Sequence, residues 1–173
     1  MNKAVFLDRD GTVIEHVHYV TDPDKVAIVP GGIEALRKLR DDGYLLVLVS
    51  NQSLVGRGYG TVEDVEAVNA RMLELLAEGG VTIDCVKYCP HRPEDECPNR
   101  KPNPGMLLEA AKELDIDLGL SVMIGDNVTD VEAGENAGCS LNVLLGEAKG
   151  TAGSVGAKDL SEAAGLVLAP SKS

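Results

Sequence analysis

Short apolar runs, four to seven residues long, alternate along the chain with longer stretches in which apolar positions recur three or four residues apart. The runs at Ala4–Leu7 (AVFL), 44–50 (YLLVLVS), 83–89 (IDCVKYC), 121–125 (SVMIG) and Leu141–Leu145 (LNVLL) are rich in leucine and β-branched residues and read as buried strands. Between them the period changes to that of a helix. Gly32–Asp41 sets Ile33, Leu36, Leu39 and Arg40 on one face, and Val62–Glu78 is opened by a Thr61 cap. Residues 104–114 form a third helical stretch, and Val128–Ala137 a fourth that stops before Gly138. The Gly-, Ala- and Ser-rich residues 146–158 are expected to be a loose connection, followed by a last helix and strand over 159–168. Strands alternating with helices imply right-handed crossovers, hence an α/β fold with a mostly parallel sheet covered by helices on both faces. Ligands of such a sheet bind beyond the carboxyl ends of the strands, so those ends are where chemistry is to be sought.

Composition narrows the reading further. The 173 residues fit a single domain over 1–173, and 44% hydrophobic with 25% charged residues is ordinary for a globular protein. No apolar run approaches the roughly 20 residues a bilayer span needs. The opening MNKAVFLD lacks the apolar segment and cleavage site of a signal peptide, so a cytoplasmic location is expected. A net charge of −12 opposes binding to nucleic acid or to an anionic membrane, both of which require a basic footprint. Any phosphate must therefore be met by local groups. Four cysteines in such a chain read as buried residues or metal ligands rather than as a disulfide framework.

Four strand ends carry chemistry-bearing residues. The first closes in FLDRDGT, placing Asp8 and Asp10 at the sheet edge with Gly11 for a tight turn and Thr12 as a hydroxyl beside them. Two carboxylates two residues apart repel each other unless a divalent cation or a shared proton intervenes. An Asp-x-Asp by itself is equally a surface turn. Here, however, the second strand ends at Ser50 and Asn51, a hydroxyl and an amide able to donate to an anion. Lys101 stands just before a helix opened by Pro-Asn-Pro, where its ammonium adds to the positive end of the dipole. The strand SVMIG runs into GDNVTD, bringing Asp126, with Asp130 one helical turn on.

In that order, DRDGT at Asp8, SNQS at Ser50, RKPNPGM at Arg100 and GDNVTD at Asp126 resemble the four motifs of the haloacid dehalogenase superfamily of phosphatases, over nearly the whole chain. Within it, Tyr19-Val20, NQSLVGRG after Ser50 and the Cys-Pro-His loop leading into RKPNPGML are similar to the heptose bisphosphate phosphatases, with the histidinol-phosphate phosphatases as close relatives. The resemblance implies a Rossmann-like core without a large cap domain. It implies Asp8 as a nucleophile that becomes an aspartyl-phosphate, and Asp10 as the acid that protonates the leaving alkoxide and then the base that deprotonates water. Magnesium would be held by Asp8, the Asp10 carbonyl and Asp126. Lys101 and Ser50, with the Asn51 amide, would clamp the phosphoryl group, and Asn51 and Arg100 would contact substrate. Asp130 is open between orienting Lys101, orienting metal-bound water and capping its helix. The expected partner is a small phosphorylated metabolite handled by a monomer. A heptose 1,7-bisphosphate losing its 7-phosphate fits best, and histidinol phosphate is the alternative. A non-catalytic phosphosugar-binding protein would have let the acid pair or the lysine decay, and all are present.

The spacing leaves no room for a cap, so selectivity must rest on the flap 13–20, the LVGRGYG loop and the insertion 89–100. That insertion reads CPHRPEDECPNR. The resembling enzymes hold a structural zinc there through Cys-x-His and Cys-x-Cys. This chain keeps Cys89, His91 and Cys97, but Asn99 stands where the fourth ligand would be. Structural zinc is nearly always four-coordinate with sulfur and nitrogen, so zinc is expected to be weakened or lost. His16 and His18 are read as flap surface, GRGYG as a flexible substrate loop, and Cys85 and Cys139 as small buried residues.

Overall fold

The computed structural model describes residues 1–146 and 153–170. Six strands form one sheet: β1 (Ala4–Leu7), β2 (Leu45–Asn51), β3 (Cys85–Cys89), β4 (Val122–Gly125), β5 (Leu141–Leu145) and β6 (Val155–Ala157). Every pairing is parallel, and the spatial order is β3-β2-β1-β4-β5-β6. The chain thus winds outward in one direction from β1 and then in the other from β4. The β1/β4 boundary is the switch point of a Rossmann-like sheet, where loops leave in opposite directions and open a crevice.

The helices are α1 (Gly32–Asp41), α2 (Val62–Glu78), α3 (Gly105–Glu113), α4 (Val128–Ala137) and α5 (Leu160–Leu168). Alternation along β1 divides the core in two. Val5 and Leu7 face α1, α2 and α5 through Leu36, Leu39, Met72 and Leu160, whereas Ala4 and Phe6 face α3 and α4 through Met106, Leu107 and Ala133. All four β1 residues are inaccessible to solvent, so the carboxylates that follow β1 hang from a fully buried central strand. At roughly 1.5–3 kcal/mol for each large apolar side chain buried, this double layer fixes the strand ends firmly. Thr61 caps α2 as expected, in a reciprocal box with Asp64, and α4 ends in a left-handed Gly138.

One expectation for the C-terminal region needs correction. The strand lies before the last helix, at Val155–Ala157, within the stretch read as a loose connection. Residues 159–168 hold no strand: α5 continues to Leu168. Three residues at a sheet edge, one of them glycine, give too short an apolar run to register as a strand. Leu166, Val167 and Leu168 looked strand-like for the opposite reason, being contiguous and apolar, yet Val167 and Leu168 pack on the main core cluster from a helix. Residues 147–152 of the predicted connection lie outside the described residues. Cys85 and Cys139, read as buried, are half-buried at the edge of the second core cluster. Among the described residues no helix is long and apolar enough to cross a membrane.

Candidate active site

The turn after β1 is built from the backbone. The Arg9 carbonyl accepts from the amides of Val13 and Ile14 at 3.0 and 3.1 Å, while Gly11 donates to the Ile14 carbonyl at 2.8 Å. Gly11 has a φ of 79°, and a Cβ there would collide with the Asp126 carboxylate. Glycine is therefore required twice, for the left-handed turn and for the approach of the β4 end to the β1 end.

Lys101 supplies the positive charge between these ends. Its side chain is 2% exposed, and Nζ donates to Asp8 Oδ1 at 2.8 Å, to Asp130 Oδ1 at 2.6 Å and to the Val49 carbonyl at 2.7 Å. Burial works against the ammonium, but the carboxylates of Asp8 and Asp130 outweigh it and hold Lys101 above its ordinary value. The lysine is positioned from β2: Asn51 Oδ1 accepts from the Lys101 amide at 3.0 Å, and Asn51 Nδ2 donates to the Lys101 carbonyl at 3.1 Å. Asp130 does two things at once. Oδ1 takes Lys101, and Oδ2 takes the Asn127 amide at 3.0 Å, closing the capping box that starts α4.

Asp8, Asp126 and Asp130 can place one oxygen each within 4.8 Å of one another, the spacing of a cation site. Burial against the strand ends and the Asp8 carboxylate push Asp126 up to about 7, although its side chain opens onto the cavity. Burial and Asp8 likewise raise Asp130 to about 6, with Lys101 pulling the other way. Together with Asp10, four carboxylates face two buried cations, Lys101 and Arg9. The donor set is all oxygen and carries two surplus negative charges, which suits a hard divalent ion such as magnesium.

An open cavity of ≈ 330 Å³ lies over these groups. Asp8, Asp10, Asn51, Lys101, Asp126 and Arg100 all line it. The flap contributes His16, His18 and Tyr19, so the two histidines are exposed as expected but turn toward the cavity. His18 and Tyr19 rings are 4.2 Å apart, and Tyr19 meets Tyr59 of the glycine-rich loop at 5.1 Å, joining flap and loop across the mouth. That loop in turn packs on the insertion through a Gly56 amide bond to the Pro90 carbonyl at 3.0 Å. Ser50 is buried, its Oγ 3.3 Å from Gln52 Nε2. Thr12 is buried too, with Oγ1 unpartnered, and it lines a neighbouring cavity beyond Asp126 rather than the one over Asp8.

Arg9, Gln52 and Asn69 are the site residues that sequence reasoning missed. The Arg9 guanidinium, 2% exposed, reaches Asp10, Gln52 and Asn69. A polar Asn69 within the buried stripe of α2, beside Val65, Val68, Met72 and Leu76, was the available signal.

In the insertion, Cys89 Sγ lies 3.6 Å from His91 Nδ1, and the ligand atoms of Cys89, His91 and Cys97 come within 4.8 Å of one another. Burial raises the Cys89 thiol above its ordinary value. Asn99 is turned elsewhere, donating to Glu109 Oε1 at 3.1 Å. Cys89, His91 and Cys97 are thus grouped closely enough to hold a metal ion, one ligand short of a closed tetrahedral set, while Asn99 is spent on α3. Arg100 Nη1 donates to the His91 carbonyl at 3.1 Å, which ties the insertion to the cavity wall.

The chain is 45% identical over 159 residues to the D-glycero-beta-D-manno-heptose-1,7-bisphosphate 7-phosphatase of Haemophilus influenzae, covering 88% of this chain and 86% of that protein. It is 47% identical over 152 residues to the enzyme of the same name from Pasteurella multocida, covering 84% and 82%. The solved D,D-heptose 1,7-bisphosphate phosphatase from B. bronchiseptica, complexed with magnesium and phosphate, superposes with a TM-score of 0.87 at 33% identity, covering 96% of this chain and 98% of that one. Residues 15–138, which include Ser50, Lys101 and Asp126, match the haloacid dehalogenase-like hydrolase family model. With the acid pair standing just ahead of that match and the lysine salt-bridged to its first member, the chain belongs to the haloacid dehalogenase-like hydrolases.

Proposed function

We propose that the chain is a magnesium-dependent phosphomonoesterase that removes the 7-phosphate of D-glycero-D-manno-heptose 1,7-bisphosphate. The observation that carries the reaction class is the Lys101 bridge between Asp8 and Asp130 at the floor of an open cavity. It presents a carboxylate nucleophile with a fixed orientation next to a buried positive charge. The sugar comes from the named relatives, and the flap and the two loops at the cavity mouth are the elements that would grip it.

A phosphate dianion repels nucleophiles, so the site must neutralise its oxygens while aligning an attacking atom. Asp8 attacks phosphorus, forming an aspartyl-phosphate as the ester P–O bond breaks, and Asp10 gives its proton to the departing alkoxide oxygen. Water then attacks phosphorus, Asp10 takes one of its protons, and the Asp8 carboxylate is released. Lys101 neutralises charge on the Asp8 side throughout. Bound magnesium, held by Asp8, Asp126 and the Asp10 carbonyl, would supply electrostatic stabilisation of the phosphoryl oxygens. Arg100 offers a planar fork to a sugar hydroxyl pair or a second phosphate.

Phosphate release measured with magnesium on heptose 1,7-bisphosphate anomers, histidinol phosphate and hexose bisphosphates tests this reading. A dominant rate on one heptose bisphosphate is expected, and a preference for histidinol phosphate would overturn the substrate. Metal analysis of the same preparation should find zinc well below one per chain, because Asn99 leaves the insertion one ligand short.

Magnesium should also stabilise the protein more at about pH 8 than at about pH 5.5. Asp126 and Asp130 titrate near 7 and 6 in the folded state, above their ordinary carboxylate value. Between that value and about 7 the folded protein holds more protons than the unfolded chain, so this cluster's contribution to stability falls as pH rises. A cation must displace those protons at low pH and meets bare carboxylates at high pH. Thermal melts with and without magnesium at the two pH values check it; equal shifts would place the ion elsewhere.

A further inference from the structure

Arg9 sits between the two acidic residues after β1, and no step described above uses it. It is buried, and four of its five N–H donors are accounted for by neighbours. Nε donates to Asp10 Oδ2 at 3.1 Å and Nη2 to Asp10 Oδ1 at 3.2 Å, a fork that grips the carboxylate in its plane. Nη1 donates to Asn69 Oδ1 at 2.9 Å, anchoring the guanidinium to α2. Nη2 also donates to Gln52 Oε1 at 2.9 Å. Because arginine can only donate, that bond fixes the orientation of the Gln52 amide, and Gln52 Nε2 then donates to Asp10 Oδ2 at 2.9 Å.

A carboxylate has about four acceptor positions, two on each oxygen. Both on Oδ2 are taken, by Arg9 and Gln52, and one on Oδ1 is taken by Arg9. The remaining position is on Oδ1. A buried ion pair is weak evidence for stability, since an apolar replacement often does as well. A pair with this many directed bonds at the wall of the cavity calls for a positional role.

We propose that Arg9 and Gln52, anchored by Asn69, are positioning residues that lock Asp10 so that the proton it exchanges with the leaving oxygen is carried on Oδ1. The inference rests on the phosphatase reading of the site. The proton on Oδ1 passes to the alkoxide oxygen as its bond to phosphorus breaks and the Asp8–phosphorus bond forms. It is replaced on Oδ1 from the water whose oxygen then displaces Asp8. Neither transfer leaves Asp10 free to rotate, because turning the carboxylate would break three bonds at once.

The test compares two esters with different demands for a proton. Heptose 1,7-bisphosphate releases an alkoxide and needs the acid, whereas p-nitrophenyl phosphate releases a stabilised phenolate and does not. The ratio kcat/KM is the readout, since it ends at release of the leaving group and excludes the shared hydrolysis of the aspartyl-phosphate. Asn69 does not line the cavity, so Asn69→Leu reaches the chemistry only through Arg9. It should cost about 10-fold on the heptose ester, and Arg9→Lys, which keeps the charge but loses the fork, about 100-fold. Both should leave p-nitrophenyl phosphate within about twofold. Equal losses on both esters, or none, in either variant that melts like the parent would overturn the proposal, and the two variants are independent should one fail to fold. A wild-type protein that hydrolyses neither ester would instead sink the phosphatase reading beneath it.

Discussion

Asp8→Asn is expected to lower kcat by about 10⁴-fold or more while the protein stays folded. The substitution is isosteric and removes only the negative charge and nucleophilicity of the carboxylate. Lys101 donates to Asp8 Oδ1, and an asparagine Oδ1 accepts the same bond, so the lysine keeps its three partners. Removing one charge from the cluster with Asp126 and Asp130 relieves repulsion, and the metal-free variant should melt no lower than the parent. Initial rates on a phosphosugar, paired with a melting curve, decide the matter. Appreciable turnover by the folded variant would mean that the phosphoryl group does not pass through Asp8.

Lys101→Met should harm both activity and stability. The side chains are similar in length, but the ammonium leaves behind two carboxylates, Asp8 and Asp130, and the Val49 carbonyl without their shared donor. Breaking a buried pair by removing one partner costs about 3–5 kcal/mol, which for a chain of this size is roughly a 6–15 °C fall in Tm. The deficit should shrink as pH falls toward about 6 and level off below it, because without Lys101 to pull it down Asp130 takes up its proton at a higher pH than in the parent and no longer needs a counter-charge. Turnover should fall by about 10³-fold, the scale seen when a fixed electrostatic partner is withdrawn from a transition state. A variant as stable as the parent at neutral pH would mean that the cluster has another source of neutralisation.

The first five strands were legible in the sequence because each is a compact apolar run, and β1, β2 and β4 carry their polar residues at or just past their ends, whereas Lys101 follows β3 only after the insertion. Asp8, Lys101 and Asp126 could be singled out from the sequence, and the structure brings all three to one cavity. The role of Asp130 could not be read there, since capping and salt bridging predict the same residue, and only the structure reveals one carboxylate doing both. Arg9 escaped for a geometric reason. It lies past the end of β1, in the turn, where the period of two no longer applies and nothing in the pattern tells that a long side chain folds back to its own neighbour. Asn51 lines the cavity, and the pairing of its side-chain amide with the Lys101 peptide, between residues fifty positions apart, could not be read from the sequence. The edge strand β6 was missed because its pairing with β5, and not its composition, makes it a strand.

That clasp between Asn51 and Lys101 separates two inheritances that are adjacent in the chain. The lysine takes its position from the neighbouring strand, so the cysteine-bearing insertion that leads into it is relieved of that duty. A side chain at position 99 that bonds to α3, as Asn99 does through Glu109, therefore leaves the lysine one residue beyond Arg100 undisturbed. Changes in the insertion can thus reshape the rim of the cavity and its packing against α3 while Lys101 stays in register with the sheet.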